Sequence, residues 1–256
     1  METGPIAVAT QDMLLALDLP ERKVSWRNER GQVRTHIFRR ITADLWNGYF
    51  SRIVVETDRT GRMIDTTSPA LWLYREAATG ATGFSVKGGG KLTDLPCWQE
   101  RVPMGHRLRA IGLLSSVEVS AEDVVEIEPD CEVVRLDALW NDDGAYMGAM
   151  TKFEGLVHRF TPPTAAHQQR FSREMSRSMI VGGSRDAKTV HAVRQKVLVR
   201  LYDELVLSVE GYGAQGAPLA NREEIVLHMD LLHKVTAAGQ LFSLVGEQTA
   251  EEGAEE

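Results

Sequence analysis

His36-Ile37-Phe38-Arg39-Arg40-Ile41-Thr42-Ala43 closes an alternating stretch and opens a helical one, and the chain makes that switch again further on. His158-Arg159-Phe160 with Thr164-Ala165 matches it at an offset of 122 residues. Leu73-Tyr74 with Glu76 and Gly83-Phe84 recurs as Leu201-Tyr202 with Glu204 and Gly211-Tyr212, at an offset of 128. His106-Arg107 with Ala110, Gly112 and Leu114 recurs as His233-Lys234 with Ala237, Gly239 and Leu241, at 127. Identities are 4 of 14 over 36–49, 4 of 15 over 71–85 and 4 of 10 over 106–115. Chance gives about one in sixteen at ordinary composition. The shared order and the nearly constant offset point to a tandem duplication with one insertion. The expected fold is α+β, predominantly helical, with two tandem copies of a hairpin-plus-helices unit at 20–118 and 128–246. The boundary between the units is expected near Ser120 to Asp130, and the units are expected to pack on each other.

Each unit opens on a hairpin signal. Val24 to Trp26 and Gln32 to Arg39 flank the turn Asn28-Glu29-Arg30-Gly31, with Val33, Thr35 and Ile37 alternating at period two. Val133 to Trp140 precedes Asn141-Asp142-Asp143-Gly144, whose Asp-Gly pair suits positive φ, and a strand region follows from Tyr146 to Phe160. Thr42 is placed to cap a helix that carries Leu45, Tyr49, Phe50, Ile53 and Val54 inward. Thr161-Pro162-Pro163-Thr164 opens the counterpart, because proline fits a first helical turn and not an interior. A short helix is expected from Ser68-Pro69 through Tyr74. A longer one runs from Asp186 toward Glu210, with Leu205 to Val209 readable as a strand instead. Asn221-Arg222-Glu223-Glu224 forms a capping box ahead of the last helix.

Composition places the chain among ordinary globular proteins, at 256 residues, 43% hydrophobic and 25% charged. No apolar run reaches the roughly 18–20 residues of a membrane helix. Met1 to Asp12 lacks the basic and apolar segments of a secretion signal. Cys97 and Cys131 hold different places in the two proposed units, so a framework disulfide is not expected, and a reducing cytoplasm is. The 247–256 tail is acidic, has no large apolar residue and is expected to be disordered.

Several strings resemble chemical motifs and fail on their own terms. Gly211-Tyr212-Gly213-Ala214-Gln215-Gly216 spells G-x-G-x-x-G, but Pro218 interrupts and about forty residues remain, too few for a nucleotide-binding half. Gly88-Gly89-Gly90-Lys91 has Ser85 where a phosphate loop needs glycine and Leu92 where it needs a hydroxyl. His228 and His233 are five apart on a helix, about 140° out of phase, and metal ligands need three or four. The repeated histidines, His36 with His158 and His106 with His233, are read as hydrogen-bonded at element junctions, with a catalytic or metal role as the alternative. Tyr74 and Tyr202 are read as core anchors, with Glu76 and Glu204 facing water. No catalytic, cofactor or metal-binding residues are expected.

Charge is uneven. The net charge is −7, yet His158 to Arg200 holds nine basic residues against Glu174 and Asp186, which gives +7 there and −14 elsewhere. Arg170, Arg173 and Arg177 share one helix face and are the candidate partner-binding residues. A solvated face is the alternative.

The hairpin followed by an aromatic-Thr-Ala helix start (Phe38 with Thr42-Ala43, Phe160 with Thr164-Ala165) resembles bacteriophage tail-assembly chaperones and tail-completion proteins, in a doubled form. That resemblance implies a non-enzymatic assembly protein that holds tail components by apolar and charged surfaces. The leading expectation is therefore protein–protein interaction. Binding of nucleic acid or an acidic partner through the Arg170–Arg200 surface is the alternative, and an enzyme of unrecognised type the third.

Overall fold

Alternation around His36 does make a strand, and the strand is the middle of a sheet. The computed structural model describes residues 7–8, 14–27, 31–58, 61–120, 130–140, 151–181 and 187–252. In chain order, β1 (Ala7–Val8) and β2 (Leu15–Ala16) precede the antiparallel pair β3 (Glu21–Arg27) and β4 (Val33–Arg39). Then come α1 (Ala43–Phe50), the pair β5 (Val54–Asp58) and β6 (Gly61–Asp65), α2 (Thr67–Ala77) and β7 (Ala78–Thr82). After them lie α3 (Trp98–Arg101), α4 (Met104–Leu114) and β8 (Val117–Val119). The remainder consists of β9 (Glu132–Trp140), β10 (Thr151–Phe160), α5 (Ala165–Val181), α6 (Ala187–Leu205) and β11 (Val206–Glu210). Last are β12 (Tyr212–Ala214), β13 (Ala217–Pro218), α7 (Arg222–His228) and α8 (Leu231–Glu252).

In the first half β4 lies between β3 and β7, both antiparallel to it. In the second, β10 pairs with β9 on one edge and with β11 and the short parallel β1 on the other, while β8 extends the sheet beyond β9. A small third sheet joins β12 to β13 and, in parallel, to β2. Helix α4 packs on α2, β3 and β9, and α8 packs on α6, β8 and β9. One apolar core therefore runs through both halves, with Phe38, Trp46, Leu73 and Tyr74 from the first and Leu136, Phe160, Leu201 and Tyr202 from the second.

The local signals behind several elements are visible in their caps. Thr42 accepts a hydrogen bond from the Leu45 amide, 3.4 Å away, at the start of α1. Asn221 accepts from the Glu224 amide at 2.9 Å, and the Glu224 carboxylate accepts from the Ala220 amide, also at 2.9 Å. These bonds satisfy amides that a helix start leaves without intrahelical partners. Gly211-Tyr212-Gly213-Ala214-Gln215-Gly216 forms β12 and the tight turn into β13, with φ of 53° at Gln215 and 77° at Gly216. Gly88, Gly89 and Gly90 form an exposed loop.

Two parts of the expected fold class are overturned. The protein is α+β but not predominantly helical, since thirteen strands stand beside eight α-helices among the described residues. One of the missed strands carries a weak signal. β7 reads Ala-Thr-Gly-Ala-Thr, with no large residue to mark a face. Val54, assigned by the sequence reading to the first helix, begins β5 instead: α1 ends at Phe50, and the β-branched run Ile53-Val54-Val55 prefers the extended backbone. Tandem duplication is not shown either. The first half inserts β5 and β6 between α1 and an 11-residue α2, whereas α5 leads to a 19-residue α6 in the second.

Other expectations meet the structure in part. Val206–Glu210 takes the strand alternative as β11. Helix α8 continues to Glu252, into the stretch expected to be disordered. The turns at Asn28–Gly31 and Asn141–Gly144, and the boundary region at 121–129, fall mostly or wholly outside the described residues. No helix among the described residues is long and apolar enough to cross a membrane.

Candidate functional site

Four polar rings join in a line inside the second half. His158 comes from β10, Tyr202 from α6, Tyr212 from β12 and His233 from α8. His158 Nδ1 lies 3.0 Å from the Tyr202 hydroxyl and its Nε2 lies 2.7 Å from the Tyr212 hydroxyl. That hydroxyl also lies 2.9 Å from His233 Nδ1. All four residues are fully buried or nearly so. One proton arrangement serves every bond: Tyr202 donates to His158 Nδ1, His158 Nε2–H donates to Tyr212, and Tyr212 donates to His233 Nδ1. The reverse polarity would require a further acceptor for the Tyr202 proton.

Burial keeps this line neutral. It holds His158 well below the usual histidine range, with His233 adding to the effect. It holds His233 at about 4, where Asp230 pulls upward and Arg22 downward. Burial also pushes the Tyr202 and Tyr212 hydroxyls well above their usual range. Charged neighbours are paired as well. Arg22 on β3 meets Asp230 at 3.1 Å with both side chains 5% exposed, and Asp230 accepts the Leu232 amide at 2.9 Å. Lys234 reaches Asp203 at 2.6 Å and the Val226 carbonyl at 2.7 Å.

A similar set of rings meets in the first half. His36 from β4 is fully buried, and its Nδ1 lies 2.7 Å from the Tyr74 hydroxyl on α2. Trp26 stacks on the His36 ring at 4.8 Å and 8°. Phe84 stands edge-on to His36 at 5.6 Å and to His106 of α4 at 5.5 Å. The same turn delivers Phe84 and Tyr212. Gly83 at φ 84° and Gly211 at φ 83° precede them, in a region that side-chain-bearing residues avoid. At Gly83 a Cβ would also stand 2.1 Å from the Val33 carbonyl oxygen.

Phe84 has no hydroxyl, and the bonds made by Tyr212 are missing here. His36 Nε2 and His106 Nδ1 are buried without a hydrogen-bond partner among the described residues, as are Arg34 Nε and Arg107 Nε. With Tyr74 donating to His36 Nδ1, the ring proton sits on Nε2, so His36 presents a buried N–H. Cations surround it: the Arg34 guanidinium lies 5.2 Å from the Phe84 ring centre and that of Arg109 lies 5.2 Å from Trp26. Burial, then His106 and Arg34, lower His36 to about 4. Burial, then Arg34 and Arg109, lower His106.

The arginine face expected to bind a partner is only partly available. Arg170 on α5 is held by Glu204 of α6, which also lies 3.9 Å from His167. Arg173 is 62% exposed, with its Nε 4.0 Å from Glu174. The side chain of Arg177 lies outside those described. Tyr74 and Tyr202 are buried as core anchors, while Glu76 pairs with Arg75 at the surface. Sequence reading missed the Arg22–Asp230 pair, 208 residues apart, for which no local signal exists. It matched Gly83-Phe84 with Gly211-Tyr212 without registering what the single hydroxyl does. No protein-family model, curated protein or solved structure matches the chain.

Proposed function

We propose that this chain is a non-enzymatic binding protein that holds a protein partner in an assembly, a bacteriophage or prophage tail being the assembly suggested by the hairpin-then-helix resemblance. The observation that carries the reading is Leu227 on α7, which is 74% exposed. Beside it lies a groove of about 270 Å³ lined by Leu17, Ile41, Val199 and Leu231, with Arg40 among its polar residues. A second hollow that Leu227 also lines includes Asp203, Asn221 and Arg222. The exposed leucine and the groove it borders together offer a docking element. The occupant that fits is a protein segment that covers Leu227 and places an apolar anchor in the groove. The buried His–Tyr line supports the same reading, because its members are neutral and hydrogen-bonded to one another.

Leu227→Asp tests this. The residue is exposed, so stability should change by no more than about 0.5 kcal/mol. A partner recovered with the wild-type chain from its native cells should be lost. Recovery of the same partner with the variant would contradict the reading. The second reading, an acidic partner on the arginine face, retains Arg173 and a concavity of about 540 Å³ lined by Ala166, His167, Gln169 and Arg170. Glu204 subtracts from its charge.

A further inference from the structure

We infer that Arg34, His36, His106 and Arg107 form a binding site for one small oxyanion, a carboxylate or a phosphate group. Four nitrogens of these residues are buried without hydrogen-bond partners among the described residues; Arg34, His36 and His106 gather around Phe84, and the Arg107 charge acts on Tyr74, which His36 contacts. Both arginine Nε atoms are N–H donors at any relevant pH, and His36 Nε2 is a third when Tyr74 donates to Nδ1. A buried N–H without an acceptor costs about 1–3 kcal/mol, so these donors call for an occupant. The occupant must accept hydrogen bonds, and its charge is set by its surroundings. Arg34 and Arg109 act on these histidines, and among the described residues no carboxylate is among the charges acting on them. A metal cation would be repelled there, whereas an oxyanion is favoured by every nearby charge. Arg34, Phe84, His106 and Arg107 are all partly exposed, while His36 is fully buried.

The second half shows what a filled version looks like. There the Tyr212 hydroxyl accepts from one histidine and donates to the other, and no external group is needed. The inference is independent of the α7 surface.

The test uses the full chain with histidine-labelled NMR at neutral pH, and inorganic phosphate and acetate as probes against chloride at matched ionic strength. One oxyanion should shift the His36 and His106 resonances saturably, at a concentration about tenfold below any effect of chloride. His158 and His233 should stay in place. Stronger saturation by phosphate identifies a phosphate group as the ligand chemistry, and stronger saturation by acetate a carboxylate. Phe84→Tyr supplies the missing hydroxyl internally and should abolish the response, with unchanged His158 and His233 resonances reporting an intact fold. Arg34→Gln should weaken binding about tenfold. Shifts no different from those of chloride, or a response that survives in Phe84→Tyr, would overturn the inference.

Discussion

His158 and His36 sit at the middle of two sheets, each buried and each bonded to a tyrosine on the second helix after its strand, yet only one of them is finished. His158 uses both ring nitrogens. His36 uses one. The difference traces to one atom, the hydroxyl of Tyr212, which Phe84 lacks although both rings arrive by the same glycine turn and stand edge-on to two histidines. Their supports differ as well. Tyr212 lies on β12, pinned to β2 by amide-to-carbonyl bonds of 2.7 and 2.9 Å, whereas Phe84 lies in a loop after β7. The comparison teaches that a buried polar network either closes on itself or stays poised for something from outside. Ring packing does not distinguish the two cases, and hydrogen-bond capacity does.

The largest expected effect comes from separating the closed cluster from its surroundings. Asp230→Ala leaves Arg22 charged and buried and removes an acceptor from the first turn of α8. It should cost about 3–5 kcal/mol, measured by urea denaturation. A loss below about 1 kcal/mol would mean that the pair does not tie β3 to α8.

Acid should strain both clusters. His36 and His233 are held at about 4 in the folded protein, below the ordinary 6.5, and His158 is lowered as well. The unfolded chain therefore binds more protons than the folded one between these values. The stability contributed by the neutral rings is full above about 6.5 and is lost as pH falls toward 4. The expected loss is on the order of 3 kcal/mol for each of His36 and His233 across that window. A flat profile between pH 7 and 4.5 would contradict the burial of these rings. Saturating oxyanion should sharpen the contrast by raising the His36 midpoint while leaving His158 unchanged.

Much of this site was legible in the chain. The matched histidines and tyrosines, the Thr42 and Asn221 caps and the glycine-aromatic pairs all carry local signals, because caps and tight turns depend on a few adjacent residues. What could not be read was convergence. His36 and Tyr74 are 38 residues apart, His158 and Tyr212 54, and Arg22 and Asp230 208, and side-chain pairing over such distances follows from packing alone. The strand β7 was missed for a related reason, since tertiary pairing holds a small-residue strand that has little intrinsic pattern, whereas β5 carried a β-branched signal at Val54 that was assigned to the first helix. The basic face differs again. Arg170 does stand on α5 as the spacing implied, but its charge is met by Glu204, which arrives from another helix.

Exchange of the one distinguishing hydroxyl tests the central claim most directly. Tyr212→Phe and Phe84→Tyr are compared by urea denaturation with the wild type at neutral pH and without added oxyanions. Tyr212→Phe should destabilise by about 2 kcal/mol, because His158 Nε2 and His233 Nδ1 both lose their partner. Phe84→Tyr should stabilise by about 1 kcal/mol, because His36 Nε2–H gains an acceptor and His106 Nδ1 a donor. Opposite signs are the predicted result. Destabilisation by both substitutions, or no effect from either, would contradict the account that one cluster is closed and the other open.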